Sequence, residues 1–163
     1  MEKITFSPIG IVHSPFKNPQ DTPIQTTVSK SSDSNIEIFS EYLDGLKDLD
    51  GFSHIIIIFY FHLSNEYSLL VKPHMDNELH GVFSTRSPKR PNPIGFSIVK
   101  LNKILKNILF INGIDMVDGT PILDIKPYVN KFDCRENVKI GWLSNNIHKI
   151  DLLENNGRTF KKL

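Results

Sequence analysis

His54-Ile-Ile-Ile-Ile-Phe-Tyr-Phe-His62 is the stretch on which the fold turns. Its β-branched and aromatic residues favour a pleated backbone. A period of two puts Ile55, Ile57, Phe59 and Phe61 on one face and His54, Ile56, Ile58, Tyr60 and His62 on the other. Both faces are largely apolar, so the segment reads as a strand buried on both sides with polar groups at its ends. Similar short extended patterns recur at residues 4–13 (broken by Pro8 and Gly10), 36–39, 81–85, 95–104, 109–114, 122–126 and 139–143, each bounded by Gly, Pro, Asn or Asp. Many short strands with few helices predict a mainly β fold, a single small antiparallel barrel, with a two-sheet sandwich as the other arrangement the pattern admits. Ser40 is placed to cap a short helix whose apolar face is Tyr42, Leu43, Leu46 and Leu49, weakened by Gly45. A second short helix is expected over 147–154, so the chain divides into a barrel over 1–145 and a helical tail over 146–163.

Composition limits the possibilities further. At 163 residues, with 39% hydrophobic and 23% charged residues, the chain suits one ordered domain rather than two or none. Its single cysteine, Cys134, gives no internal disulfide framework and fits a reducing compartment. The longest apolar run, 55–61, is too short to span a bilayer, and Met1-Glu-Lys-Ile-Thr lacks the pattern of a secretion signal, so the cytoplasm is the expected location. Residues 17–35 read as a long polar loop of the kind more often functional than idle.

Charge is unevenly distributed. No acidic residue falls between Glu78 and Asp115, while Arg86, Lys89, Arg90, Lys100, Lys103 and Lys106 place six cations there against a net charge of +1 for the whole chain. An anionic partner met on one side, a nucleic acid or a phosphorylated or carboxylated small molecule, follows from that asymmetry. Within the window, Thr85-Arg-Ser-Pro-Lys-Arg-Pro-Asn-Pro93 has three prolines in six residues. They exclude a helix and stiffen a loop that presents Arg86 and Arg90 with little residual entropy, as guanidinium recognition of phosphate or carboxylate requires. An exposed loop with surface salt bridges is the plainer alternative.

Asp115, Asp118, Asp124 and Tyr128 make a second constellation. Asp118-Gly-Thr-Pro121 is a strong turn sequence and could simply close a hairpin between 109–114 and 122–126. The flanking carboxylates could equally bind an amine, ribose hydroxyls or a metal, or take a proton. Six histidines are present, but none is paired with a Cys or second His at ligand spacing, so no metal site is expected. Phosphate-binding Gly loops, nucleophile elbows and H-E-x-x-H are all absent.

Gly81-Val-Phe-Ser-Thr-Arg-Ser-Pro-Lys-Arg-Pro-Asn-Pro-Ile-Gly95 together with Asp118-Gly-Thr-Pro-Ile-Leu-Asp-Ile-Lys-Pro-Tyr128 resembles the TrmO family, also known as YaeB or TsaA-like proteins. Ile9-Gly-Ile-Val-His-Ser-Pro-Phe16, Leu46-Lys-Asp-Leu-Asp-Gly-Phe-Ser-His54 and Phe59-Tyr-Phe-His62 agree in order and spacing, so the resemblance covers roughly residues 4–143. It implies a small β-barrel that binds S-adenosylmethionine, usually as a homodimer with the cofactor near the subunit interface. It further implies methylation of N6 of N6-threonylcarbamoyladenosine at position 37 of threonine tRNA.

Carried over residue by residue, the resemblance implies a cofactor pocket built from Gln25, Thr26, Phe61, His62, Arg86, Asp115, Met116, Val117 and Asp118. Lys89, Arg90, Lys100, Lys103 and Lys106 are the expected tRNA contacts by charge. Asp124, Lys126 and Tyr128 are the candidate proton-removing or orienting groups. This chain has Ile24 where many bacterial members have Arg. Those members also carry a further C-terminal domain, so tRNA binding here is expected to rest on the barrel dimer or to serve a different substrate. Two rival functions remain open on the residues alone: a non-catalytic barrel binding RNA or a nucleotide-like ligand, and a metal-assisted hydrolase using Asp115, Asp118 and Asp124.

Overall fold

Short alternating segments with turn residues between them can bury only one face each, and the chain satisfies all of them at once by closing a barrel. The computed structural model describes residues 2–23 and 34–149. Its strands are β1 (Gly10–His13), β2 (Ser34–Ile38), β3 (His54–Tyr60), β4 (Leu70–Val71), β5 (His80–Gly81), β6 (Ile94–Leu105), β7 (Ile108–Asn112) and β8 (Pro121–Pro127). Six of them form a closed barrel in the order β1-β2-β7-β6-β3-β8, every neighbouring pair antiparallel, while β4 and β5 make a separate two-stranded sheet. The expected barrel is what the chain builds.

Inside lie Val12, Ile36, Ile55, Ile57, Leu109, Ile111 and Ile122, each at most 1% exposed. In β3 only the face bearing Ile55, Ile57 and Phe59 enters this core; His54, Ile56, Ile58 and Tyr60 stand on the outer wall, each partly exposed. The expectation of a strand buried on both sides is therefore corrected. A closed barrel has one interior, and the outer side chains of β3 are covered only in part.

Other expectations shift for local reasons. The strand expected over 81–85 stops at Gly81: after the β4–β5 pairing the chain turns into a 3-10 helix, Val82–Ser84. Residues 139–143 likewise lead into a 3-10 helix, Gly141–Asn145, entered through Gly141 at φ 57°. The helix begun near Ser40 is a 3-10 helix, Ser40–Leu46, with Phe39 at its N-cap and no side-chain cap, so Ser40 does not play the capping role. Residues 150–154 of the expected tail helix lie outside the described residues.

The Asp118 turn does not close a hairpin. β7 pairs with β2 and β6, whereas β8 pairs with β3 and β1, so the two strands stand on opposite sides of the barrel. Residues 113–120 cross the barrel end between them. Ile114 and Met116, at 0% and 2% exposed, plug it. The Asp118 carboxylate accepts the Ser14 backbone N–H at 3.0 Å and pairs with Lys17 at 2.7 Å, and Ser14 Oγ donates to the Met116 carbonyl at 2.9 Å. These bonds clip the crossing segment to the chain leaving β1.

Candidate functional site

The cationic loop hangs from the end of the barrel where β3 finishes and β6 begins. Residues 61–93 leave β3 and return to β6, and the two strands pair from Tyr60↔Ile94 down to His54↔Lys100. Prolines at 88, 91 and 93 limit the loop's freedom, and Arg90 completes the stiffening: one guanidinium nitrogen donates to the Thr85 carbonyl at 3.1 Å and to that of Ser87 at 3.3 Å. The Ser64 hydroxyl holds the Pro88 carbonyl at 3.0 Å, and the Phe61 N–H holds that of Pro93 at 2.7 Å. Arg86 is thereby set over the outward-facing Phe96 ring, its guanidinium carbon 4.8 Å from the ring centroid.

On the inward side of the same stretch of β6 the residues are small. Gly95 faces Phe59 in register, and a Cβ there would stand 2.5 Å from the Phe59 ring and 2.8 Å from that of Phe61. The two phenylalanines meet edge to face at 5.0 Å. Ser97, only 4% exposed, donates its hydroxyl to Asp115 Oδ1 at 2.6 Å. Burial pushes the Asp115 carboxyl up to about 6, against the opposing pull of the Ser97 hydroxyl, a backbone N–H and the Arg86 charge. Burial also lowers the pKa of His62, just past the end of β3, which keeps its imidazole neutral at pH 7. A cation, an adjustable carboxylate, a neutral imidazole and aromatic surface thus collect at one rim.

The remaining expected residues are dispersed. Gln25 and Thr26 lie outside the described residues. Met116 packs in the core, Val117 is partly buried beside it, and Asp118 is engaged in the clip, where Lys17 and then the Ser14 N–H hold its carboxyl below the ordinary range. Asp124 lies opposite Ile58, which lies opposite Phe96, so it stands on the outer wall two strand spacings, roughly 10 Å, from Phe96. It is paired with Lys126 at 2.7 Å. Tyr128 sits at the other end of β3, its backbone N–H bonded to the His54 carbonyl and its ring edge-on to His54.

Of the cations, Lys89 is exposed beside Arg86, but β6 carries the others away. Lys100 is opposite His54, Lys103 stacks on Phe110, and Lys106 lies in the β6–β7 turn at φ 55°. Seven residues of strand put Lys103 roughly 23 Å from Phe96. The window that is continuous in sequence is split between two ends of the molecule. Among the described residues no group of three His, Cys, Asp or Glu could hold a metal ion, and the three carboxylates of the hydrolase alternative have separate partners in Ser97, Lys17 and Lys126.

Sequence reasoning missed Ser97 and Gly95, although small residues on the inward face of β6, among Val99 and Leu101, are a signal once the register is known. It also missed a cluster of Asp76, His80, Trp142 and Asn146 beside the cationic loop.

Comparison with known proteins is consistent across sequence and structure. The family model described as the tRNA-methyltransferase O N-terminal domain matches residues 11–134. A Pyrococcus abyssi protein named as a probable S-adenosyl-L-methionine-binding protein is 54% identical over 157 residues, covering 96% of this chain and 85% of the relative. The human tRNA (adenine(37)-N6)-methyltransferase is 39% identical over 138 residues, 80% of this chain but 31% of that protein. A crystal structure of TrmO from Pseudomonas aeruginosa superposes with a TM-score of 0.73 at 34% identity, covering 86% of this chain and 62% of that one.

Proposed function

Because the chain belongs to the tRNA-methyltransferase O N-terminal domain family, we propose that it is an S-adenosylmethionine-dependent methyltransferase acting on N6 of adenosine 37 in tRNA, with the threonylcarbamoylated base of threonine tRNA as acceptor. What supports this is the rim of β6, where Arg86 and Asp115 flank aromatic surface. The chemistry of that rim fits the cofactor. A planar guanidinium matches a carboxylate, a half-buried carboxylate matches an ammonium or ribose hydroxyls, and Phe61 offers apolar surface to a base. A neutral His62 adds no charge that would repel a sulfonium.

Bound there, S-adenosylmethionine supplies a methyl group already activated by its sulfonium charge. The protein's part is then to position both partners in line and exclude water. Asp124, in the same row across the wall as Phe96, is the proposed group that takes or orients the acceptor proton, with Lys126 holding its carboxylate. Tyr128, about 13 Å further along β3, is assigned to orienting the substrate rather than the proton.

The protein is read as a cytoplasmic homodimer. Ile58, Tyr60, Phe96 and Ile98 form an apolar strip on the outer wall, with Tyr60 at 40% and Phe96 at 47% exposed. The strip runs directly into the Arg86 rim, so a second copy seated on it would complete the cofactor site. Lys89 on the loop before β6, Lys100 and Lys103 on β6 and Lys106 in the turn after it are proposed to follow tRNA phosphates.

Calorimetry with S-adenosylmethionine, followed by methyl transfer to threonine tRNA with and without the threonylcarbamoyl group, tests the assignment. Absence of binding heat overturns it. Heat without transfer to either tRNA favours the non-catalytic barrel or another acceptor.

A further inference from the structure

The cationic loop is stiff in itself, but its direction depends on what its upstream end is fastened to. That end is the Val82–Ser84 turn, two residues before Arg86, and it is fastened from outside the barrel. Trp142 donates its indole N–H to the Ser84 carbonyl at 2.9 Å. The same indole stacks on His80, with centroids 4.5 Å apart and planes inclined at 21°. His80 Nε2 meets Asp76 Oδ2 at 3.2 Å, and that oxygen also accepts the Asn146 amide at 3.1 Å, while Lys149 reaches the Met75 carbonyl at 2.9 Å. Residues 141–149 therefore grip residues 75–84 along their length. None of these residues belongs to the barrel's core cluster.

We infer that residues 141–149 act as a clasp, and that Trp142 is a positioning residue which sets Arg86 for the carboxylate of the cofactor. The inference rests on the cofactor site proposed above. A charge-assisted, bidentate contact is sensitive to direction, so a loop free to swing at Ser84 loses most of what Arg86 contributes. Barrel stability should be nearly indifferent, because the clasp buries nothing in the core. Phenylalanine in place of Trp142 would keep the stack on His80 but lose the N–H donor.

Trp142 is also the chain's one tryptophan, so its fluorescence reports on the clasp alone. The experiment compares S-adenosylmethionine affinity and thermal unfolding in the full chain and in Trp142→Ala, Trp142→Phe and Arg86→Ala, and follows tryptophan emission in the wild-type chain and in Arg86→Ala, which keep Trp142. Expected are an emission change on adding S-adenosylmethionine to the wild-type chain and a loss of affinity of about tenfold in Trp142→Ala, the size of one lost charge-assisted hydrogen bond. Trp142→Phe should fall between, with both unfolding midpoints near wild type. Wild-type affinity in Trp142→Ala, or emission that ignores the cofactor, overturns the clasp. If Trp142→Ala does not fold, Trp142→Phe decides by the same criterion. Failure of the site itself looks different: the wild-type chain does not bind, or Arg86→Ala binds as well as wild type.

Discussion

Asp115 lies where the segment crossing the barrel end meets Ser97, and burial lifts its carboxyl from 3.8 to about 6. The folded state holds this proton more firmly than the unfolded chain does. Its contribution to stability is therefore complete below about pH 4 and is lost as pH rises through 6. At about 1.4 kcal/mol per pH unit, an ionised Asp115 costs the fold about 2–3 kcal/mol above pH 7. Asp115→Asn should accordingly raise stability to denaturant at pH 8 and leave it unchanged at pH 4, while weakening S-adenosylmethionine binding at pH 8. Equal effects at both pH values would remove Asp115 from this role. In the wild-type chain cofactor affinity should decline as pH falls through 6, since a protonated carboxyl no longer balances an ammonium. Asp115 was visible in the sequence as a carboxylate near a turn. Its burial and its bond to Ser97 were not, because a serine in an alternating strand declares a side only when the register is known.

Among the elements, the crossing segment 113–120 departs furthest from expectation. Two apolar runs joined through Asp-Gly read as a hairpin. Eight residues containing Ile114 and Met116 are instead a plug, since those side chains find burial only by passing over the open barrel end. Gly119, at φ 78°, lets the chain turn down into β8. Asp118 holds the segment through the Ser14 N–H and Lys17, and its depressed pKa means this hold is present above about pH 4 and lost as pH falls further. Lys17 is 70% exposed, so its ion pair is screened and the backbone bond carries most of the effect. Asp118→Ala should lower stability by about 1–2 kcal/mol with little dependence on salt, and Lys17→Ala by less than about 0.5 kcal/mol. Matching losses in the two variants, read from denaturant midpoints, would assign the hold to the ion pair instead.

For the whole molecule, the proposed dimer places the outer strip of β3 and β6 at its interface. A monomer would leave Ile58, Tyr60, Phe96 and Ile98 to water. Sedimentation should find the wild-type chain as a dimer and Ile58→Glu as a monomer with an unchanged fold and weaker cofactor binding; a monomeric wild type would leave the strip to tRNA or another protein. The sequence by itself determined what local chemistry controls: short strands with turns between them, a proline-stiffened loop bearing Arg86, and an excess of cations in one window. These follow from backbone preference and composition, which act over a few residues. Only the tertiary structure decided that β3 is buried on one face, that residues 113–120 bridge opposite sides of the barrel, and that Asp115 meets Ser97. It also carried Lys103 and Lys106 away from Arg86 and brought Trp142 back to Ser84. Each of these joins residues far apart in the chain, and such meetings depend on barrel closure and strand register, to which local preference is blind.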